Sequence, residues 1–353
     1  MKQIITLKDV ANAAGVSRVT ASFVMNNRHN DLKISEKTCQ KVKETAEKLG
    51  YFRNEIASSM LTGKSKVIGI VAKNSWTEYS AKIIEGAMIR AAQKGYHVKL
   101  IPWEENNIKN VVKQCLSQRL AGIIARSIEL EEVNEIFNIL SKYNIPVAEV
   151  GESLRTGAGI RVLSDDFLGT KLALDHLRML GHRNIYFATF GSAKSLFSVL
   201  RAKAYSAVMA EFNLNASGKT IVFEKDTTDF QNKISSLLKS KKRPTAFFCG
   251  GETSAMLCIR VAYELNIKIP ETLSIVGYGD SMLSKFATPA LTVVHQPFRK
   301  LGEEVAEQLI KDITSKNMQS LTKPIEKILP VQLTERNTTA KARQDKDAQM
   351  EGK

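Results

Sequence analysis

The 353-residue chain is poor in the residues that build covalent or metal-held frames. Its four cysteines, Cys39, Cys115, Cys249 and Cys258, form no Cys-x-x-Cys pair and have no histidine cluster beside them. That spacing argues against a disulfide scaffold or a zinc site and predicts reduced thiols. No run of about eighteen apolar residues occurs, which argues against a membrane-spanning helix. The first residues lack the apolar centre of a secretory signal. A cytoplasmic chain without membrane attachment is expected.

Catalytic strings are missing as well. Gly63-Lys64-Ser65 looks like the end of a phosphate-binding loop, but position 58 is Ser where that loop needs Gly, and the segment precedes a strand instead of following one. Neither Gly-x-Ser-x-Gly nor His-Glu-x-x-His is present, and the five histidines are scattered. Asp165-Asp166 reads as a structural or lining pair and not as acid/base machinery. No enzyme, cofactor or metal is expected.

Acidic residues are also in short supply, 36 against 51 Lys and Arg, for a formal net charge of +15. The first 66 residues hold twelve Lys or Arg and six acids, so the excess is densest there. A basic N-terminal segment favours a polyanionic partner, by charge alone no better than a merely soluble basic surface.

Residues 6–50 carry helical patterns only. Thr6 caps a helix whose apolar face is Leu7, Val10, Ala11 and Ala14, and Gly15 breaks it. Ser17 caps a second helix over 18–25. A polar loop follows at 27–34, and Ser35 starts a third helix that ends at Gly50. Two helices joined by a tight glycine turn form a helix-turn-helix, in which the second helix enters the major groove. A short fourth helix is predicted over 54–62. From residue 67 the pattern changes to β-branched runs alternating with amphipathic stretches. Strands are expected at 67–71, 97–101, 121–125, 146–150, 185–190, 220–224, 245–249, 273–277 and 291–295, with helices at 169–180, 200–212, 255–265 and 301–313 among others. Such alternation means parallel sheets, and its length suits two lobes.

The string Thr-Leu-Lys-Asp-Val-Ala-Asn-Ala-Ala-Gly-Val-Ser (6–17) resembles the opening motif of the lac-repressor/galactose-repressor family of bacterial regulators. The likeness continues at Thr20, Ser22, Asn26, Ile34-Ser35-Glu36-Lys37-Thr38 and Ala46-Glu47-Lys48-Leu49-Gly50-Tyr51. In the core it extends to Gly181-His182-Arg183-Asn184-Ile185, Val276-Gly277-Tyr278 and 291–297. The resemblance implies an all-α helix-turn-helix head joined to an α/β core with a two-lobed, periplasmic-binding-protein-like fold. The expected divisions are a head at 1–53, a hinge helix and linker at 54–66, and a core at 67–336. Its lobes are 67–163 with 294–325, and 164–293 with 326–336. Residues 337–353 have no apolar period and read as a disordered tail.

The same resemblance implies a homodimer on a near-palindromic double-stranded operator, with a small-molecule effector, a sugar or an anionic metabolite, between the lobes. Candidate DNA-contacting residues are Thr6, Ser17, Arg18, Val19, Thr20, Ser22, Phe23 and Asn26, and in the hinge Asn54, Ala57 and Met60. Met60 stands where the family's minor-groove wedge falls. Family members usually carry Arg where this chain has Phe23. Candidate effector-binding residues are Ser75, Trp76, Tyr79, Arg126, Glu252 and Asp280, nominated because ligands of open α/β sheets bind at the carboxyl ends of strands, and Arg201, which the resemblance matches to an effector-binding arginine of the family. Two other readings are left open: a regulator of the same fold controlled by a partner protein, and a ligand-binding transport protein.

Overall fold

The computed structural model describes residues 5–26, 28–52, 65–73, 77–104, 107–126, 130–151, 157–190, 196–223, 226–315 and 317–343. The chain forms two compact units, 1–66 and 67–353.

In the first unit, helices α1 (Leu7–Ala14), α2 (Arg18–Met25) and α3 (Glu36–Leu49) enclose a small core of Val10, Ala11, Ala14, Ala21, Val24, Cys39, Val42 and Ala46. Each helix starts where a side chain satisfies its first amides. Thr6 and Asp9 form a reciprocal capping box. Ser17 Oγ accepts the Thr20 amide at 3.0 Å, and Ser35 Oγ accepts the Thr38 amide at 3.3 Å. Gly15 ends α1 at φ 67°, left-handed backbone that a side chain resists, and so fixes the turn into α2. The polar stretch after α2, expected as a loop, contains a 3₁₀ turn at His29–Leu32.

The second unit holds two six-stranded sheets. The first contains β1 (Val67–Ala72), β2 (His97–Pro102), β3 (Gly122–Arg126), β4 (Val147–Gly151), β5 (Gly159–Ser164) and β11 (Pro324–Leu329), in the order β11-β5-β4-β3-β1-β2, all parallel. Helices α4 (Glu78–Gln93), α5 (Ile108–Ser117), α6 (Leu130–Leu140) and α12 (Phe298–Thr314) belong to this lobe. The second sheet contains β6 (Ile185–Phe190), β7 (Thr220–Phe223), β8 (Ala246–Cys249), β9 (Ser274–Tyr278), β10 (Thr292–His295) and β12 (Gln332–Thr334). It is parallel except for β12, which runs antiparallel to β10. Its helices are α7 (Asp166–Met179), α8 (Leu196–Glu211), α9 (Thr227–Lys239), α10 (Glu252–Glu264) and the short α11 (Met282–Phe286).

The lobe boundaries differ slightly from expectation. Residues 326–329 complete β11 and pair with β5, so they belong to the first lobe, while 294–295 finish β10 in the second. The strands β5, β11 and β12 were not anticipated, because charge breaks the apolar runs of β5 and β11 and β12 is only three residues with a single apolar one. Arg161 of β5 is buried, its guanidinium bonded to Glu326 of β11 and to the Gly157 carbonyl.

A larger correction concerns the tail. Residues 337–343 are ordered against the second sheet. Ile275 donates its amide to the Thr338 carbonyl at 2.8 Å, and the Thr338 hydroxyl donates to the Ile275 carbonyl at 2.6 Å. Ala342 donates its amide to Leu180 O at 2.7 Å. His182 lies 3.0 Å from each of Thr245 Oγ1, Ser274 Oγ and the Ala340 carbonyl. The segment is held by backbone and hydroxyl hydrogen bonds, which an apolar period cannot reveal.

Two predictions follow from this packing. Helices α4 and α12 touch backbone to backbone. A Cβ on Gly86 would lie 2.1 Å from the Arg299 carbonyl oxygen, and one on Gly302 would lie 1.9 Å from that of Ile83. Alanine at either site must push the helices apart, at a cost of about 2 kcal/mol as for other overpacked sites. Urea unfolding of Gly86→Ala and Gly302→Ala measures this, and unchanged midpoints would contradict the close packing. Burial also pushes the His182 imidazole below its ordinary value. The unfolded chain then binds the proton more readily than the fold does. Stability contributed by the neutral ring is complete above the unfolded pKa, near 6.5, and declines as pH falls below it. Tm recorded from pH 7.5 to 5.5 should drop, and less so in His182→Gln.

Candidate nucleic-acid interface and ligand cleft

Helix α2 buries Ala21 and Val24 against α1 and α3. The opposite face therefore carries Arg18, Val19, Ser22, Phe23 and Asn26, at the i, i+1, i+4, i+5 and i+8 positions of one stripe. Val19 is 58% exposed, which has no packing explanation in the head. Ser17 and Thr20 sit at the amino end of this helix, their hydroxyls 2.9 Å apart. Asn26 folds back on the helix and donates from Nδ2 to the Ser22 carbonyl at 2.7 Å. Thr6 lies at the start of α1, its hydroxyl donating to Asp9 Oδ2 at 2.7 Å. The structure thus brings seven of the eight expected head residues onto α2 and its two caps, with Thr6 at the start of α1. Asn54, Ala57 and Met60 lie outside the described residues.

In the core, Tyr79, Arg126, Glu252 and Asp280 lie at or after the carboxyl ends of β1, β3, β8 and β9. Ser75 and Trp76 lie outside the described residues. In the first lobe, the Arg126 guanidinium stands 5.8 Å from the centre of the Tyr79 ring, and Tyr79 packs on Phe298 at 5.7 Å. In the second lobe, Arg201 is 4% exposed and heavily engaged. It donates from Nε to Asp166 Oδ1 at 2.9 Å and from Nη1 to the Gly250 carbonyl at 2.6 Å. Its guanidinium lies 3.6 Å from the centre of the Tyr278 ring. Phe197 flanks it from the other side at 5.3 Å.

Two expected carboxylates turn out to be occupied by the protein itself. Glu252 Oε1 accepts from the Ser281 amide at 2.7 Å, from the Ser281 hydroxyl at 2.9 Å and from the Ser284 hydroxyl. Glu252 therefore fastens the start of α11. Asp280 accepts from Arg336 Nη2 at 2.7 Å and lies 3.0 Å from His295 Nδ1. Both were expected to face a ligand; both are buried and bonded instead to donors of the same chain. Sequence reasoning missed Phe197, Phe298 and the role of Glu78. Glu78 Oε2 accepts the Met282 amide at 2.8 Å and so joins the first lobe to the start of α11. No spacing rule connects residues so far apart in the chain.

The head is a helix-turn-helix with an outward second helix, and the core is a two-lobed sheet module with charged and aromatic groups where the lobes meet. Together they define a DNA-binding regulator. Comparison with known proteins agrees. The model of bacterial regulatory proteins of the lacI family matches residues 6–54, and that of the periplasmic binding protein-like domain matches 174–339. The HTH-type transcriptional repressor PurR of Serratia proteamaculans is 31% identical over 326 residues, 89% of this chain and 92% of that protein. PurR of Proteus mirabilis is 30% identical, over 90% of this chain and 93% of its own length. The crystal structure of the Lac repressor dimer bound to operator and the anti-inducer ONPF matches with a TM-score of 0.80 and 25% identity, covering 96% of this chain and all of that one. The CelR–cellobiose complex matches at 0.70 with 22% identity, over 95% of this chain and 99% of that one. The chain belongs to the lacI family of bacterial regulatory proteins.

The Arg201 cluster yields a prediction. Replacing Arg201 with Met leaves the Asp166 carboxylate, itself 10% exposed, without its partner. The expected cost is about 3 kcal/mol or more. Thermal or urea unfolding should show this loss, with part of it restored in Arg201→Met/Asp166→Asn.

Proposed function

We propose that the protein is a homodimeric, cytoplasmic repressor. Its two heads read the halves of a near-palindromic operator, and its operator affinity is set by a small molecule held between the lobes of each core. The observation that carries this reading is the α2 stripe, where a basic and an apolar side chain stand exposed at the start of a capped helix. Arg18 can bond guanine O6 and N7 through its fork, and Val19 can meet a thymine methyl. Ser17, Thr20, Ser22, Asn26 and Thr6 are suited to phosphates, which fix register without reading sequence. Asn54, Ala57 and Met60 are assigned to the minor groove on sequence grounds.

Dimerisation is supported by apolar side chains left exposed on the core: Met282, Leu283 and Phe286 along α11, and Tyr263 on α10. They suit a self-complementary two-fold contact. For the effector, Arg126, Tyr79 and Arg201 are the proposed contacts, with Ser75 and Trp76 from sequence. With Glu252 and Asp280 engaged by the protein itself, as Arg201 also is, the Arg126 guanidinium is what favours an anionic metabolite over a sugar clamped by carboxylates. A ligand that prefers one lobe arrangement then shifts the population that binds DNA.

Selection of binding sites from a random duplex library tests the head. Arg18→Ala should alter base preference at one position per half-site, by a factor of about ten. Unchanged affinity and preference would displace α2 from the groove. A thermal-shift screen of carboxylate and phosphate metabolites tests the cleft, and a silent screen would favour control by a partner protein.

A further inference from the structure

Among the hydrogen-bonding residues of α2 and its caps, Phe23 presents a ring. The residue is half-buried on the outward stripe of α2, one turn beyond Val19. An aromatic ring on a base-reading face cannot donate a hydrogen bond. The structure places a cation beside it. Arg28 follows α2 and donates its amide to the Phe23 carbonyl at 2.8 Å. Its guanidinium carbon stands 5.1 Å from the centre of the Phe23 ring, within cation–π range.

The orientation of that guanidinium is also fixed. Asp31 Oδ2 accepts from Arg28 Nε at 2.8 Å and lies 2.8 Å from Nη2. The carboxylate thus occupies the Nε–Nη2 side of the fork. Among the described residues the Nη1–Nη2 end takes no second acceptor, and the Arg28 side chain is 61% exposed. This end carries two parallel N–H groups with the spacing of guanine O6 and N7. The ion pair by itself is solvent-exposed and of small value to folding, so stability gives little reason for a ring, a guanidinium and a carboxylate to converge here.

We propose that Arg28, seated on the Phe23 ring and oriented by Asp31, is a guanine-reading residue that supplies the hydrogen-bonding fork the Phe23 ring lacks. The proposal rests on the reading of α2 as the groove helix. It makes Phe23 a platform and Asp31 a positioning residue. Because Asp31 neutralises Arg28, the residue adds little general attraction to phosphates, and its contribution is concentrated at one base pair.

The test uses the full-length protein and duplexes chosen by selection from a random library at moderate salt. Each base pair of the selected half-site is then replaced in turn. Arg28→Ala alone leaves Asp31 unpaired and repels every duplex, so the informative variant is Arg28→Ala/Asp31→Ala. It should lose discrimination for guanine at one position per half-site by about tenfold or more while other positions keep theirs. Arg28→Lys should show the same local loss, since an ammonium is not a fork. Asp31→Ala should act in two opposite directions, binding all duplexes more tightly while discriminating less at that position. The proposal is overturned if the double variant keeps the wild-type preference everywhere. It is equally overturned if affinity falls by the same factor for every sequence, the signature of a phosphate contact. If the wild-type protein selects no sequence at all, the groove-helix reading fails with it, which separates the two failures.

Discussion

The core depends on the three places where the chain passes between its sheets, after β5, after β10 and after β11. These crossings are bonded to one another. The Asp165 amide donates to the Leu329 carbonyl at 3.0 Å, and Gln296 Nε2 donates to the Ser164 hydroxyl at 2.6 Å. Both Gln296 and Ser164 are buried, so the bond forms away from water and its loss would strand polar atoms. Each lobe has its own apolar clusters. The lobes can therefore change their mutual angle only by bending at three tied segments, which is a hinge in the physical sense.

The ligand cleft grows from the same constraint. Asp166 begins α7 immediately after the first crossing, and Arg201 binds it. Arg201 also reaches Gly250 at the end of β8 and covers Tyr278 at the end of β9. One buried cation thus connects the hinge to two strand ends of the second lobe. Across the junction, Glu78 accepts the amide of Met282, whose helix is held in turn by Glu252. A molecule that enters between the lobes meets groups already committed to this network. Any interaction it makes with Arg201 is felt at the crossing, which gives ligand and lobe angle a physical connection.

The head follows a different economy. Its core is a handful of small side chains, and much of its definition comes from caps and from one left-handed glycine. That leaves Arg18 and Val19 exposed at the start of α2, so these two can vary at little cost to the fold. On the proposed reading, Arg28 stands outside the helix and supplies beside Phe23 the hydrogen-bonding fork that the ring lacks.

Much of this was legible in the residue order. Capping residues, glycine stops and the 3.6-residue apolar period located α1, α2 and α3, because those signals act within a few residues of one another. Apolar runs rich in β-branched or aromatic residues located β1, β3, β4, β6, β8, β9 and β10, since strands buried on both faces need little else. The same locality explains the failures. Strand β5 hides a buried arginine whose partner is 165 positions away, and residues 337–343 are fixed by hydrogen bonds to distant strand edges. Glu252 and Asp280 look in sequence like carboxylates awaiting a ligand. Only the tertiary fold brings Ser281, Ser284, Arg336 and His295 to them, because hydrogen bonds depend on position in space and not on distance along the chain.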